Sequence, residues 1–177
     1  MVDCSASADC ARRNYFFSNI IDAAKRKNLA ERLSFINSSI NRLIAYKKDN
    51  ALYGSLDQWA KPSEILDRRA GDCEDFAILK MAALLSSGIP AKSMALVILQ
   101  DRKKGFFHAV LAVNTPASVF ILDNLSKKVA KDSELPDYQP LYSVSADRAW
   151  IHGAKAGTAL LAEVKGGLAG ISPGEGI

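Results

Sequence analysis

Cysteine and histidine are both scarce in this chain: 177 residues hold three cysteines and two histidines. An odd cysteine count leaves at least one thiol unpaired. Two arrangements fit it. Cys4 and Cys10 lie close together near the N-terminus; either they close a small loop in an oxidising compartment and leave Cys73 free, or all three stay thiols in a reducing one. Long apolar runs are missing, which excludes a membrane-spanning helix. No basic stripe interleaved with aromatics is present, which argues against a nucleic-acid partner. The net charge is only +4, from 23 basic and 19 acidic residues, and pairs such as Arg12-Arg13, Lys47-Lys48 and Lys103-Lys104 read as solvated surface. No internal repeat is visible. Met1-Val2-Asp3 has neither a basic start nor an apolar segment, so no secretory leader is read there. The expectation is a cytosolic protein, or a mature form from which a leader was removed.

What is present is an ordinary globular composition, 49% hydrophobic and 24% charged, in a length that suits one domain with a sizeable core. Residues 1–14 are small and polar and read as an N-terminal arm. Phe16, Phe17, Ile20, Ile21 and Ala24 recur at helical spacing between Tyr15 and Lys27. Leu29, Leu33, Ile36, Ile40, Leu43 and Ile44 predict a core-facing helix over 29–48 that ends at Lys47-Lys48. Residues 49–62 read as a loop carrying Tyr53 and Trp59 and punctuated by Gly54 and Pro62. Pro62 opens a short helix. A further helix follows from Asp72-Cys73 and stops at Gly88, with Pro90 beyond it.

After Pro90 the period changes. Residues 94–99, 106–113 and 119–123 are β-rich runs joined by short turns, an antiparallel meander. Residues 125–140 read as irregular, and 141–144 and 148–152 as further strands. The small-residue tail, 153–177, is expected to be partly helical and then disordered. The main domain is therefore placed at 15–152. Its class is α+β, with N-terminal helices packed on an antiparallel sheet.

One stretch carries chemistry: Gly71-Asp72-Cys73-Glu74-Asp75, at a helix start. The unpaired N–H groups and partial positive charge of a helix N-terminus favour a thiolate, the reactive form of cysteine. Carboxylates on both sides oppose it unless a cation neutralises them. A cysteine nucleophile needs a base, and the base needs an orienting group. Of the two histidines, His108 lies in the second strand of the meander and His152 near the chain's irregular end. Asp123 closes the third strand. His108 and Asp123 are nearly equidistant from the turn at 114–117, so they are expected to be cross-strand neighbours, the carboxylate holding the imidazole toward Cys73. Plainer readings stand beside these. A lone histidine in an apolar strand is usually structural, Asp123-Asn124 suits a turn, and Asp72 and Asp75 suit helix capping and dipole complementation.

Several segments resemble the bacterial transglutaminase-like cysteine proteinase family, which includes LapG-type periplasmic proteases. They are the stretch from Asp57 through Trp59 and Pro62 to Leu66, Gly71 to Lys80 with its Gly-Asp-Cys-Glu-Asp-Phe-Ala core, Phe107-His108-Ala109-Val110-Leu111, and Leu122-Asp123-Asn124. Tyr138 to Ser143 and Trp150 are similar as well. The resemblance implies a papain-like fold, a Cys73, His108 and Asp123 triad, and an endopeptidase that cleaves surface adhesins at small-residue sites, a biofilm function. It also implies calcium held by Asp72, Glu74 and Asp75, which would offset the charge beside the thiolate, and no organic cofactor. Trp59 and Asp72 would lie at the substrate side of the site, with backbone N–H groups around Cys73 meeting an oxyanion. A protein substrate, a regulatory protein partner and a periplasmic location follow from the same resemblance, with the cytoplasm left open. The triad serves a transglutaminase or amidase equally well, because the acyl-enzyme is the same. The fold also serves a non-catalytic protein-binding module.

Overall fold

Two helices open the chain, α1 (Ala8–Lys25) and α2 (Leu29–Leu43). The structure is a computed structural model that describes residues 8–54, 58–145, 148–155 and 158–164. α2 starts where Asn28 supplies a cap, its Oδ1 accepting from the Glu31 N–H at 3.0 Å. Leu33, Ile36 and Ile40 turn its apolar stripe into the core. Arg32, on the same helix, ties three segments together. Its guanidinium donates to the carbonyls of Ala24 at 3.1 Å, Lys27 at 3.0 Å and Ser87 at 2.9 Å.

Three boundaries differ from the sequence expectation. α1 begins at Ala8 rather than Tyr15, because Ala8 to Arg13 has helix propensity but no apolar stripe to announce it. α2 ends at Leu43, with Ile44 extended, because Ala45–Tyr46 (β1) pairs in parallel with Ala70–Gly71 (β2). Inside the segment read as loop, Asp49–Tyr53 forms a short helix, α3, closed by Gly54 at φ 70°, a conformation glycine adopts without a Cβ penalty. α4 (Pro62–Arg68) has proline in its first turn, as expected, and α5 (Cys73–Ser86) follows.

A seven-stranded sheet completes the fold. β3 (Met94–Asp101), β4 (Phe106–Asn114) and β5 (Val119–Leu122) form the meander, and β6 (Ala130–Lys131), β7 (Tyr138–Val144), β8 (Ala149–Lys155) and β9 (Thr158–Val164) extend it. The order is β6-β5-β4-β3-β7-β8-β9 with antiparallel neighbours. Residues 153–155 and 158–164 are thus strand rather than helix. Ala and Leu there suggest helix locally, but the backbone of β8 offers a ladder, and tertiary pairing overrides propensity. Regular structure extends beyond the 15–152 span at both ends. Cys4, and with it a Cys4–Cys10 bridge, lies outside the described residues, as does the tail from 165.

Helices α2 and α5 cover one face of the sheet, where Leu33, Ile40, Leu79, Leu84, Leu96 and Leu111 are buried in the main core. Val97, Leu99, Val110 and Ile121 form a smaller cluster on the opposite face. Among the described residues no helix is long and apolar enough to cross a membrane.

Candidate active site

The parallel ladder β1–β2 delivers the chain to the start of α5. Asp72 is the N-cap residue, extended at φ −99° and ψ −159°, and Cys73 is the first helical residue. The Phe76 N–H bonds the Asp72 carbonyl at 3.2 Å and closes the first turn. Gly71 is tightly confined here. A Cβ at that position would sit 2.5 Å from Asp75 Cβ and 2.8 Å from its Cγ. Gly71→Ala is therefore expected to displace Asp75 and to lower stability by about 1–3 kcal/mol, as overpacking does. A reduced urea midpoint would register it.

The Cys73 thiol is half-buried and donates to Glu74 Oε2 at 3.3 Å. The backbone N–H of Ala109, next to His108 on β4, points at the sulfur and lowers its pKa. Burial outweighs that and pushes the thiol well above its ordinary range, with the charges of Glu74 and Asp72 adding to the effect. The acids therefore oppose the thiolate in the absence of a cation.

His108 and Asp123 are both buried, with Nε2 2.8 Å from Oδ1. A carboxylate accepts, so Nε2 carries the hydrogen and Nδ1 is left as the acceptor. Two further donors fix the carboxylate: the Leu125 N–H on Oδ1 at 2.8 Å and the Tyr138 hydroxyl on Oδ2 at 2.7 Å. Asn41 Nδ2 holds the Asp123 carbonyl at 2.9 Å. Burial raises the Asp123 pKa, but the hydrogen bond and charge of His108, then Leu125 and Tyr138, outweigh it and leave the carboxyl below its usual range. Tyr138 is correspondingly pushed up, by burial and then by Asp123.

The contact is not directly cross-strand. β4 and β5 pair Leu111 with Leu122, so one step further Asp123 stands opposite Val110 and reaches His108 diagonally. The turn lies one residue later than expected: Thr115 N–H bonds the Ser118 carbonyl at 3.0 Å, and moving a turn centre by one residue moves the register by two. A diagonal pair is still within side-chain reach.

Asp72, Glu74 and Asp75 divide between two groups. Asp72 and Glu74 lie with Cys73, whereas Asp72 and Asp75 lie with Asp49, the ligand atoms of each group within 4.8 Å of one another. Asp49, in the first turn of α3, is absent from the sequence reading; only the β1–β2 ladder sets it beside Asp72. Its Oδ2 accepts from the Gln58 N–H. Asp72 Oδ1 and both oxygens of Asp75 are buried without a full hydrogen bond. Burial, then the charges of Asp72 and Asp49, push Asp75 up to about 7. Burial, then a hydrogen bond with Asp72, push Glu74 up to about 10. Converging carboxylate oxygens that lack donors are the donor set of a hard cation, and the residues fit one.

Trp59 is half-buried against the main core; the next residue, Ala60, brings its N–H near Asp75. His152 sits apart from Cys73, with Nε2 2.6 Å from Ser143 Oγ.

The sequence profile of the bacterial transglutaminase-like cysteine proteinases (BTLCP) matches residues 4–153. LapG of Legionella pneumophila is similar in structure, with 34% identity, a TM-score of 0.74, and 83% of this chain and 82% of that chain covered. Its calcium-bound form gives 32% identity and a TM-score of 0.74 over 88% of each chain. Its EGTA-treated form gives 34% and 0.75 over 89% of this chain and 83% of that one. A UPF0252 protein of Pyrococcus horikoshii is 30% identical over 120 residues, 65% of this chain; the match spans only 38% of that relative's length.

Proposed function

Since this chain belongs to the bacterial transglutaminase-like cysteine proteinase family, we propose that it is an endopeptidase working by acyl transfer through Cys73, His108 and Asp123. The observation that carries this reading is the buried His108–Asp123 pair at 2.8 Å, on the strand whose Ala109 N–H reaches the Cys73 sulfur. His108 Nδ1 takes the thiol proton as Cys73 attacks the scissile carbonyl. The imidazolium then protonates the leaving amine, and His108 next serves as base for the water that releases the acyl-enzyme. Asp123 holds the tautomer throughout and stabilises the imidazolium. The N–H groups at the start of α5 supply the oxyanion's donors, and Trp59 flanks the same end of that helix.

Calcium is the ion we assign to the acidic cluster, with Asp49, Asp72 and Asp75 as ligands and Glu74 beside them. The calcium-bound and EGTA-treated LapG structures support this, as do the donor-poor carboxylates. The ion supplies positive charge that offsets the acids around the thiol. The substrate we propose is a cell-surface protein such as an adhesin, met in the periplasm, with a regulatory protein controlling access.

Surface-protein extracts treated with the wild type or with Cys73→Ala test this. New protein N-termini are expected with the wild type alone, and chelator should suppress them. Cys73-dependent incorporation of a labelled amine in place of cleavage would favour the transglutaminase reading. No Cys73-dependent change of either kind would leave the non-catalytic module standing.

A further inference from the structure

On the sheet face away from α5 lies an apolar cavity of about 250 Å³, walled by Val97, Leu99, Val110, Ile121 and Leu135. Two features set it apart from an ordinary packing gap. The first is polar. Ser143 and His152 both line it, and their Oγ and Nε2 atoms lie 2.6 Å apart. Ser143 is buried among the aliphatic groups. The second is its position. Leu99 is the cross-strand partner of His108, and Val110 is the next residue on the same face of β4. Tyr138 also lines the cavity. Its hydroxyl donates to Asp123 at 2.7 Å, and its ring meets the His108 ring edge-on, with centroids 6.2 Å apart. One wall of the cavity is therefore the group that fixes the orienter of the candidate base.

We propose that this cavity is a regulatory binding site for a small uncharged amphiphile, with a compact apolar body and one alcohol, phenol or amide head, whose occupancy is passed to His108 through Tyr138. Size limits the body. A cavity of about 150 Å³ lined by aliphatic and aromatic groups accepts benzene, so the larger volume here takes a ring with a short alkyl arm. The head is set by the Ser143–His152 pair, a hydroxyl and an imidazole that offer both a donor and an acceptor. Burial lowers the His152 pKa and so favours the uncharged imidazole, which gives an anion no countercharge. Asp132 in the same lining is exposed. Its charge is therefore screened by water and neither recruits a cation nor decides against an anion. The effect on catalysis rests on the Cys73–His108–Asp123 reading; the binding itself does not.

The two histidines are the only imidazoles in the chain, so a ring-selective ¹H–¹³C spectrum reports both ends of the path. The full chain with calcium present is titrated with 4-propylphenol, and in parallel with 4-propylbenzoate, an anion of similar shape. The phenol is expected to shift the His152 and His108 lines saturably and with one midpoint, and the benzoate to shift neither. Ala112→Phe, which places a ring in the cavity from β4, should abolish both shifts; Val119→Phe on β5 does the same if the first variant does not fold. Tyr138→Phe should keep the His152 shift and lose the one at His108. Absence of any saturable shift in the wild type overturns the site. A His152 shift with an unmoved His108 line overturns the transmission, and an equal response to the benzoate overturns the ligand class. A protein without peptidase activity would count against the proposed triad, while the spectra would still decide the cavity.

Discussion

Cys73→Ala should fold like the wild type and hydrolyse nothing above background, a loss of about a million-fold in kcat if the residue is the nucleophile. The expected contrast between activity and stability is sharp because of where the residue sits. Position 73 is the first of α5, half-buried, and its side chain donates to Glu74 and meets the Ala109 N–H. Alanine fills it without strain and is a good helix former. Losing the thiol removes one donor to Glu74, whose carboxyl burial already pushes up, a cost of about 1 kcal/mol. The melting temperature is therefore expected to stay within about 2–4 °C of the wild type, the shift that about 1 kcal/mol produces in a chain of this size. Cys73→Ser should be as inactive, since its hydroxyl faces the same carboxylates and deprotonates far less readily than a thiol. Measurable turnover by either variant would remove Cys73 from the mechanism.

Chelation should reverse the pH dependence of stability. Without a cation, Asp75 has a folded pKa of about 7 against an ordinary value of 3.8, and Glu74 about 10 against 4.5. A carboxyl whose folded pKa is raised contributes its stability fully below the unfolded pKa and loses it as pH rises through the folded one. In chelator the protein should therefore be most stable near about pH 4–5 and weaken steadily through neutrality. Calcium takes the place of those protons. At about a hundred times its Kd it adds about 2.7 kcal/mol, or about 5–10 °C in a chain of this length. That gain should be largest near about pH 8 and fade toward about pH 5, where protons compete for the same oxygens. Asp75→Asn should flatten the profile in chelator and lose most of the calcium gain. Melting curves with equal calcium shifts at both pH values would place the ion elsewhere.

Much of this site can be read from residues alone because its parts carry local signals. An acid–cysteine–acid run ahead of an apolar helical period marks the start of α5, and three β-rich runs with short turns mark the strands that hold His108 and Asp123. What escapes is whatever depends on pairing at a distance. Asp49 reaches Asp72 through a ladder two residues long on each strand, too short to leave a pattern. Tyr138 falls in a polar, proline-containing stretch, and its role as a donor to Asp123 exists only because β7 lies beside β3. The diagonal His108–Asp123 contact depends on one residue in a turn. The strand residues 153–155 and 158–164 are set by a neighbouring edge rather than by their own composition.

Arg32 has a consequence for how the protein assembles. The C-terminal carbonyls of a helix need partners from outside it, and for the helix that begins at Cys73 one of them, Ser87, is served by this guanidinium at 2.9 Å. The same group also holds Ala24 and Lys27, so it is in position only once α1 has folded back on α2. The far end of α5 is thus secured by a local hairpin near the N-terminus, formed from contacts close in sequence and quick to make. Opening that hairpin frays the helix from the end opposite its cysteine, so hydrogen exchange at Leu84 to Ser87 should follow α1 and α2 as one unit rather than follow the sheet.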